Sequence, residues 1–123
     1  MPIEFQQWIT RQDLRANPGK IYVFGDNAQR SGLGGQAKEM RGEPNAIGVV
    51  TKWAPSMAAR AFFDDTAACK VLVERDLLRV QQALDHRRTV VVPADGIGTG
   101  LSRLSSCAPN LDRFIKQWFK GRA

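Results

Sequence analysis

The sequence predicts a three-layer α/β/α domain built on a small mixed sheet. Three observations carry that reading. Two short apolar runs, residues 20–24 and 89–92, end at polar, glycine-bearing corners, as central strands covered on both faces do. Between them Cys69, Val73, Leu77, Val80 and Leu84 recur at steps of three and four, which makes one apolar stripe of a long helix. Strands and helices alternate along 123 residues, an order that packs helices against one sheet and fits a single domain over 1–123.

The elements follow in order. Ile3 and Phe5 alternate with Glu4, which suits a short strand at a sheet edge. Thr10 with Asp13 three residues on resembles a capping box and opens a helix over 11–16, which Asn17-Pro18-Gly19 ends. A strand over 20–24 leads into a glycine-rich turn and a short helix over 34–41, with Ala37 and Met40 inward and Gly42-Glu43-Pro44-Asn45 as its breaker. Residues 46–50 form another buried strand, closing in Thr51-Lys52, and Trp53-Ala54-Pro55 leaves the sheet. Residues 56–65 read as irregular or partly helical. Thr66 caps the long helix, which runs to about Asp85, with Arg87-Arg88 at the end its dipole favours. After the valine strand, Pro109 suits the first turn of a last helix whose apolar face is Leu111, Phe114, Ile115, Trp118 and Phe119.

Ordinary hydrophobic content argues against disordered and fibrous classes. The absence of a long apolar run argues against a membrane span, and the default expectation is a cytoplasmic protein. Cys69 and Cys107 lie far apart without metal-ligand spacing, and His86 is the single histidine, so the cysteines read as small fillers and no metal or cofactor is expected. A formal charge of +6 favours anionic partners, although the basic residues are scattered rather than gathered in one arm.

The candidate chemistry sits in two loops after buried strands. Gly32, Gly34 and Gly35 lead into Gln36 and a helix start, so the amides of 32–36 suit an anion. Gly98, Thr99, Gly100 and Leu101 repeat the device after the second strand. Neither loop is a Walker A or a dinucleotide fingerprint. Asp26 and Asn27 at a strand end either hold a ribose or base, or make an Asx-turn. Lys52 pairs with phosphate, attacks a sugar carbon if its amine is desolvated, or is a surface lysine. Asp95 is a base, a sugar anchor or a turn former. Trp53 either stacks on a base or packs in the half-core.

Asn27 followed by Gly32-Leu33-Gly34-Gly35-Gln36-Ala37 resembles the first ligand loop of macrodomains. Ile97-Gly98-Thr99-Gly100-Leu101-Ser102-Arg103-Leu104 is similar to the Ile-Gly-Cys-Gly-Leu-Asp-Arg-Leu pattern of the macrodomain branch that removes ADP-ribose from glutamate, and Val50-Thr51-Lys52 matches that branch's Thr-Lys strand end. The resemblance spans roughly residues 20 to 118. It implies a macrodomain-like fold and an ADP-ribose cleft at the strand ends. Asp26 would then contact the adenosine half and Asn27 the distal ribose. Both glycine loops would hold the diphosphate, and Lys52 would act as nucleophile. Ser102 stands where the branch has its assisting aspartate, which leaves Asp95 as the nearby carboxylate to assist Lys52. The partners so implied are ADP-ribose or an ADP-ribosylated macromolecule. The basic balance supports an alternative of another class, a non-catalytic module binding nucleic acid or protein on the same scaffold.

Overall fold

A computed structural model describes residues 2–97 and 103–123. It is a small α/β domain with a four-stranded sheet in the order β1-β4-β2-β3. The strands are β1 (Ile3–Gln6), β2 (Ile21–Asn27), β3 (Ala46–Lys52) and β4 (Val90–Pro93). Among the described residues five α-helices accompany them: α1 (Arg11–Ala16), α2 (Ala37–Met40), α3 (Ala67–Asp85), α4 (Leu104–Cys107) and α5 (Pro109–Lys120).

The expected mixed sheet is corrected: β1 with β4, β4 with β2, and β2 with β3 all pair in parallel. Every strand is followed by a helix or a long crossover before the next begins, and such connections return the chain to the same end of the sheet. All four carboxyl ends therefore share one edge, where an open α/β sheet builds its site. β1 lies at the edge of the sheet, as its alternation suggested.

Successive residues of β2 serve opposite faces, as the pleat requires. Ile21 and Val23 join Ile3, Val49, Val90 and Val92 in one apolar cluster with Val73, Leu77 and Val80 of α3 and Leu111, Ile115 and Phe119 of α5. Tyr22 and Phe24 join Ile9, Leu14, Ala37, Met40 and Val91 in a second cluster, which contains the buried residues of α1 and α2.

Local signals act as their chemistry demands. The Thr10 hydroxyl accepts from the Asp13 amide while the Asp13 carboxylate accepts from the Thr10 amide, a complete capping box. Thr66 is the N-cap residue of α3 but makes no side-chain cap bond. Its own amide donates to the Asp64 carboxylate instead. The Asp65 carboxylate reaches across to accept the Asn110 and Leu111 amides at the start of α5.

The helix expected over 34–41 is only Ala37–Met40. Gly35 sits at φ +56, outside helical geometry, so the chain enters the helix late. β2, by contrast, runs longer at its end than expected. Asp26 and Asn27 are its last residues, so these polar groups stand on the sheet rather than in a loop, and β3 ends in Thr51 and Lys52 as expected. Within 56–65 there is a single 3-10 turn at Ala59–Ala61.

Candidate functional site

A cleft of about 230 Å³ opens at the carboxyl ends of β2 and β3. Its walls include Asp26, Asn27, Gly32, Gly34, Arg41 and Lys52, so five of the residues singled out from the sequence meet in one place. Pro55 and Met57 close it from the segment after β3.

The loop wall is held from beneath. Asp26 is 5% exposed and bonds Arg41 Nη2 at 2.6 Å through Oδ1. The same carboxylate accepts the Asn27 amide at 2.8 Å and faces Arg30 at 3.5 Å. Arg41 also donates to the Gly32 and Ser31 carbonyls, which ties the glycine loop to the end of β2. Arg30, in the left-handed region at φ 54, makes a two-pronged contact with Asp76 of α3 at 2.8 Å on both oxygens and donates to the Gly48 carbonyl. Asp76 in turn accepts the Val50 amide at 2.9 Å. Two arginines and two aspartates thus join β2, β3, α3 and the loop. Gly48 makes room for them: a Cβ there would stand 2.6 Å from Asp26 Oδ2.

Asp26 therefore spends its carboxylate on the protein. Asn27 makes the Asx-turn, its side-chain oxygen accepting the Gln29 amide and its side-chain amide donating to the Ser31 carbonyl. Gln36 exchanges two bonds with the backbone of Ile9, at 2.9 and 2.8 Å, and fastens the start of α2 to the loop after β1. Gln36 and Gly35 are not among the residues lining the cleft. Gly32 has φ +93, and a side chain there would meet Pro55 at 2.9 Å, so its glycine serves the loop packing. The backbone amides of residues 32–35 donate to no acceptor among the described residues.

Lys52 stands on the opposite wall. It is 7% exposed, with Nζ 5.1 Å from the centre of the Phe62 ring and 3.9 Å from Met57 Sδ. The Phe62 segment is held beside it, since Trp53 donates to the Ala61 carbonyl at 2.7 Å and Lys52 forms a β-bridge with Phe62. Arg103 lies over the same ring at 5.8 Å. Burial first, and the Arg103 charge second, lower the Lys52 amine below its ordinary 10.5. Trp53 is 38% exposed and packs edge-on against Phe63 at 4.9 Å, a half-core position.

Asp95 is not among the residues lining this cleft. It borders a separate one of about 280 Å³ with Phe5, Lys116 and Lys120. Gly98, Thr99, Gly100 and Leu101 lie outside the described residues. Arg30, Arg41, Asp76 and Arg103 were not foreseen. Asp76 carried one usable signal, since it sits three residues after Val73 and beside Leu77 and is therefore on the buried side of α3.

Among the described residues no helix is long and apolar enough to cross a membrane, and no group of three or more His, Cys, Asp or Glu is placed to hold a metal. No curated protein and no solved structure matches the chain. A family profile matches residues 4–118, nearly the whole chain, and on that match the chain belongs to the family of unknown function DUF7831.

Proposed function

We propose that the cleft between the glycine loop and Lys52 binds a phosphate-bearing nucleotide of the ADP-ribose class, on a three-layer macrodomain-like scaffold. One observation carries this reading. The cleft has a wall of glycine-loop backbone whose amides have no acceptor among the described residues, and it faces a desolvated lysine. Such amides suit phosphate oxygens, and the lysine supplies positive charge where little water screens it. Apolar clusters on opposite faces of a sheet with its carboxyl ends on one edge support the scaffold.

Turnover is the further claim. A lowered amine presents more of its neutral form near physiological pH, which suits attack on an anomeric carbon. The lysine lone pair would form the new N–C bond as the glycosidic C–O bond breaks, its electrons leaving with the acceptor carboxylate. Water would then release the sugar and free the lysine. Asp26 is committed to Arg41 and Asp95 borders another cleft, so the described residues give this step no uncommitted carboxylate. Binding therefore has more support than hydrolysis. The alternative basic module loses support from the arginines themselves: Arg11 and Arg15 pair with Glu43, Arg30 with Asp76 and Arg41 with Asp26.

Calorimetric titration with ADP-ribose tests the binding claim; a saturable heat is expected, and its absence overturns the reading. Lys52→Ala in an assay of ADP-ribose release from a modified protein tests the chemical step. Unchanged release would remove Lys52 as nucleophile.

A further inference from the structure

The outward side of α3 carries apolar surface that the core does not use. Val71 and Leu78 are 51% and 61% exposed. They are seven residues apart, so one stands two turns above the other on a single face. With Phe114 and Trp118 of α5 they border a groove of about 510 Å³. Glu74 and Arg75 stand between them, both exposed, and neither has an ion-pair partner among the described residues.

We propose that this face is the interface of a two-fold symmetric dimer, its occupant a second copy of the chain. A two-fold contact must be complementary to itself. Two α3 helices crossing antiparallel, with the axis between residues 74 and 75, set Glu74 against the partner's Arg75 and Arg75 against the partner's Glu74. The same register sets Val71 against the partner's Leu78, because both pairs are centred on the same point of the helix. One operator thus brings apolar to apolar and acid to base along the middle of the face, with Lys70 opposite the partner's Arg79 only at its flanks. A parallel arrangement would set each residue against its own kind and place like charges together. A foreign partner would have no need of this self-matching order. Phe114 and Trp118 border the same groove, each with a cation over its ring, Lys70 and Arg122 respectively.

The groove shares no lining residue with the cleft at the strand ends, so this proposal stands independently of the nucleotide reading. Sedimentation of the full chain tests it. The wild-type chain is expected at twice its 13.7 kDa mass. Glu74→Arg and Arg75→Glu each turn two attractive pairs into repulsive ones, and each is expected to weaken the dimer about tenfold or more. The double variant E74R/R75E restores unlike pairs across the axis and is expected to recover the wild-type association to within about threefold. The substituted positions are exposed, and thermal melting of each variant checks that folding is unchanged. A monomeric wild-type chain at about 100 μM, far above the working range of a specific dimer, overturns the proposal. Single variants that associate as the wild type does, or a double variant no better than the singles, also overturn it.

Discussion

Asp76→Ala would test the charge network that joins the sheet to the glycine loop. The substitution removes three acceptor contacts at once: two from Arg30 at 2.8 Å and one from the Val50 amide at 2.9 Å. Val50 is 1% exposed and β3 is a sheet edge, so among the described residues its outward amide has no other strand to serve. Stranding such an amide costs about 1–3 kcal/mol. Breaking a fully buried ion pair costs about 3–5 kcal/mol, but that figure must be cut here. The Arg30 side chain is 44% exposed and keeps the Gly48 carbonyl at 3.0 Å. The sum is a loss of about 2–4 kcal/mol. With a typical urea dependence this lowers the unfolding midpoint by roughly 1–3 M. Asp76→Asn keeps one carbonyl oxygen as acceptor and is expected to lose about half as much. Urea titration followed by circular dichroism reads both. A midpoint within about 0.3 M of wild type for Asp76→Ala would refute the network as a source of stability.

Three further outcomes are expected. Gly48→Ala pushes a methyl group against the Asp26 carboxylate and its Cβ, the latter at 2.9 Å, and should cost about 1–3 kcal/mol by thermal melting, with Gly25→Ala worse because it would overlap the Ile97 backbone carbonyl rather than a side chain. The Lys52 amine, followed by carbon-detected NMR, should titrate below 10.5, and Arg103→Ala should raise it only part of the way because burial is the larger cause. A lysine depressed in the folded state binds fewer protons than in the unfolded one, so stability should rise as pH climbs through its folded value toward 10.5. Asp13 lies below its ordinary 3.8, chiefly through its bond to the Thr10 backbone, so its contribution is full above the unfolded value and is lost as pH falls through the folded one. Asp13→Ala should flatten that acid limb in melting experiments, whereas Thr10→Ala should cost about 1 kcal/mol and shrink the limb only in part, because the larger bond from the Thr10 backbone remains.

Short-range rules were readable before the fold was known. The capping box at Thr10, the stripe on α3, the valine strand and the proline at the start of α5 each depend on residues within a turn or two. Partners brought by tertiary structure were not readable. Arg30 and Asp76 are 46 residues apart, as are Leu111 and the Asp65 carboxylate that accepts its amide. No local pattern announces either. The same gap explains the roles assigned to Asp26 and Asn27. Their position at a strand end was visible, and so was the Asx-turn that Asn27 makes, but the commitment of Asp26 to Arg41 was not. The glycine loop misled differently. Its helix was expected to begin at Gly34, but Gly35 at φ +56 delays the start to Ala37.

The place of β4 has a consequence for how the chain is made. β1 is synthesised before β2 and β3, yet among the described strands it pairs only with β4, which follows them. Until Val90–Pro93 emerges, β2 and β3 can form a ladder, but β1 has no neighbour to receive its backbone groups. Closure must wait for a strand more than 80 residues after β1, and contacts this distant in sequence form slowly. A ribosome-bound chain of this protein therefore carries an unsealed sheet from the emergence of β1 to that of β4, its apolar β2 flank open to other chains. The four-residue valine strand that looks like mere filling is the keystone that ends that exposure.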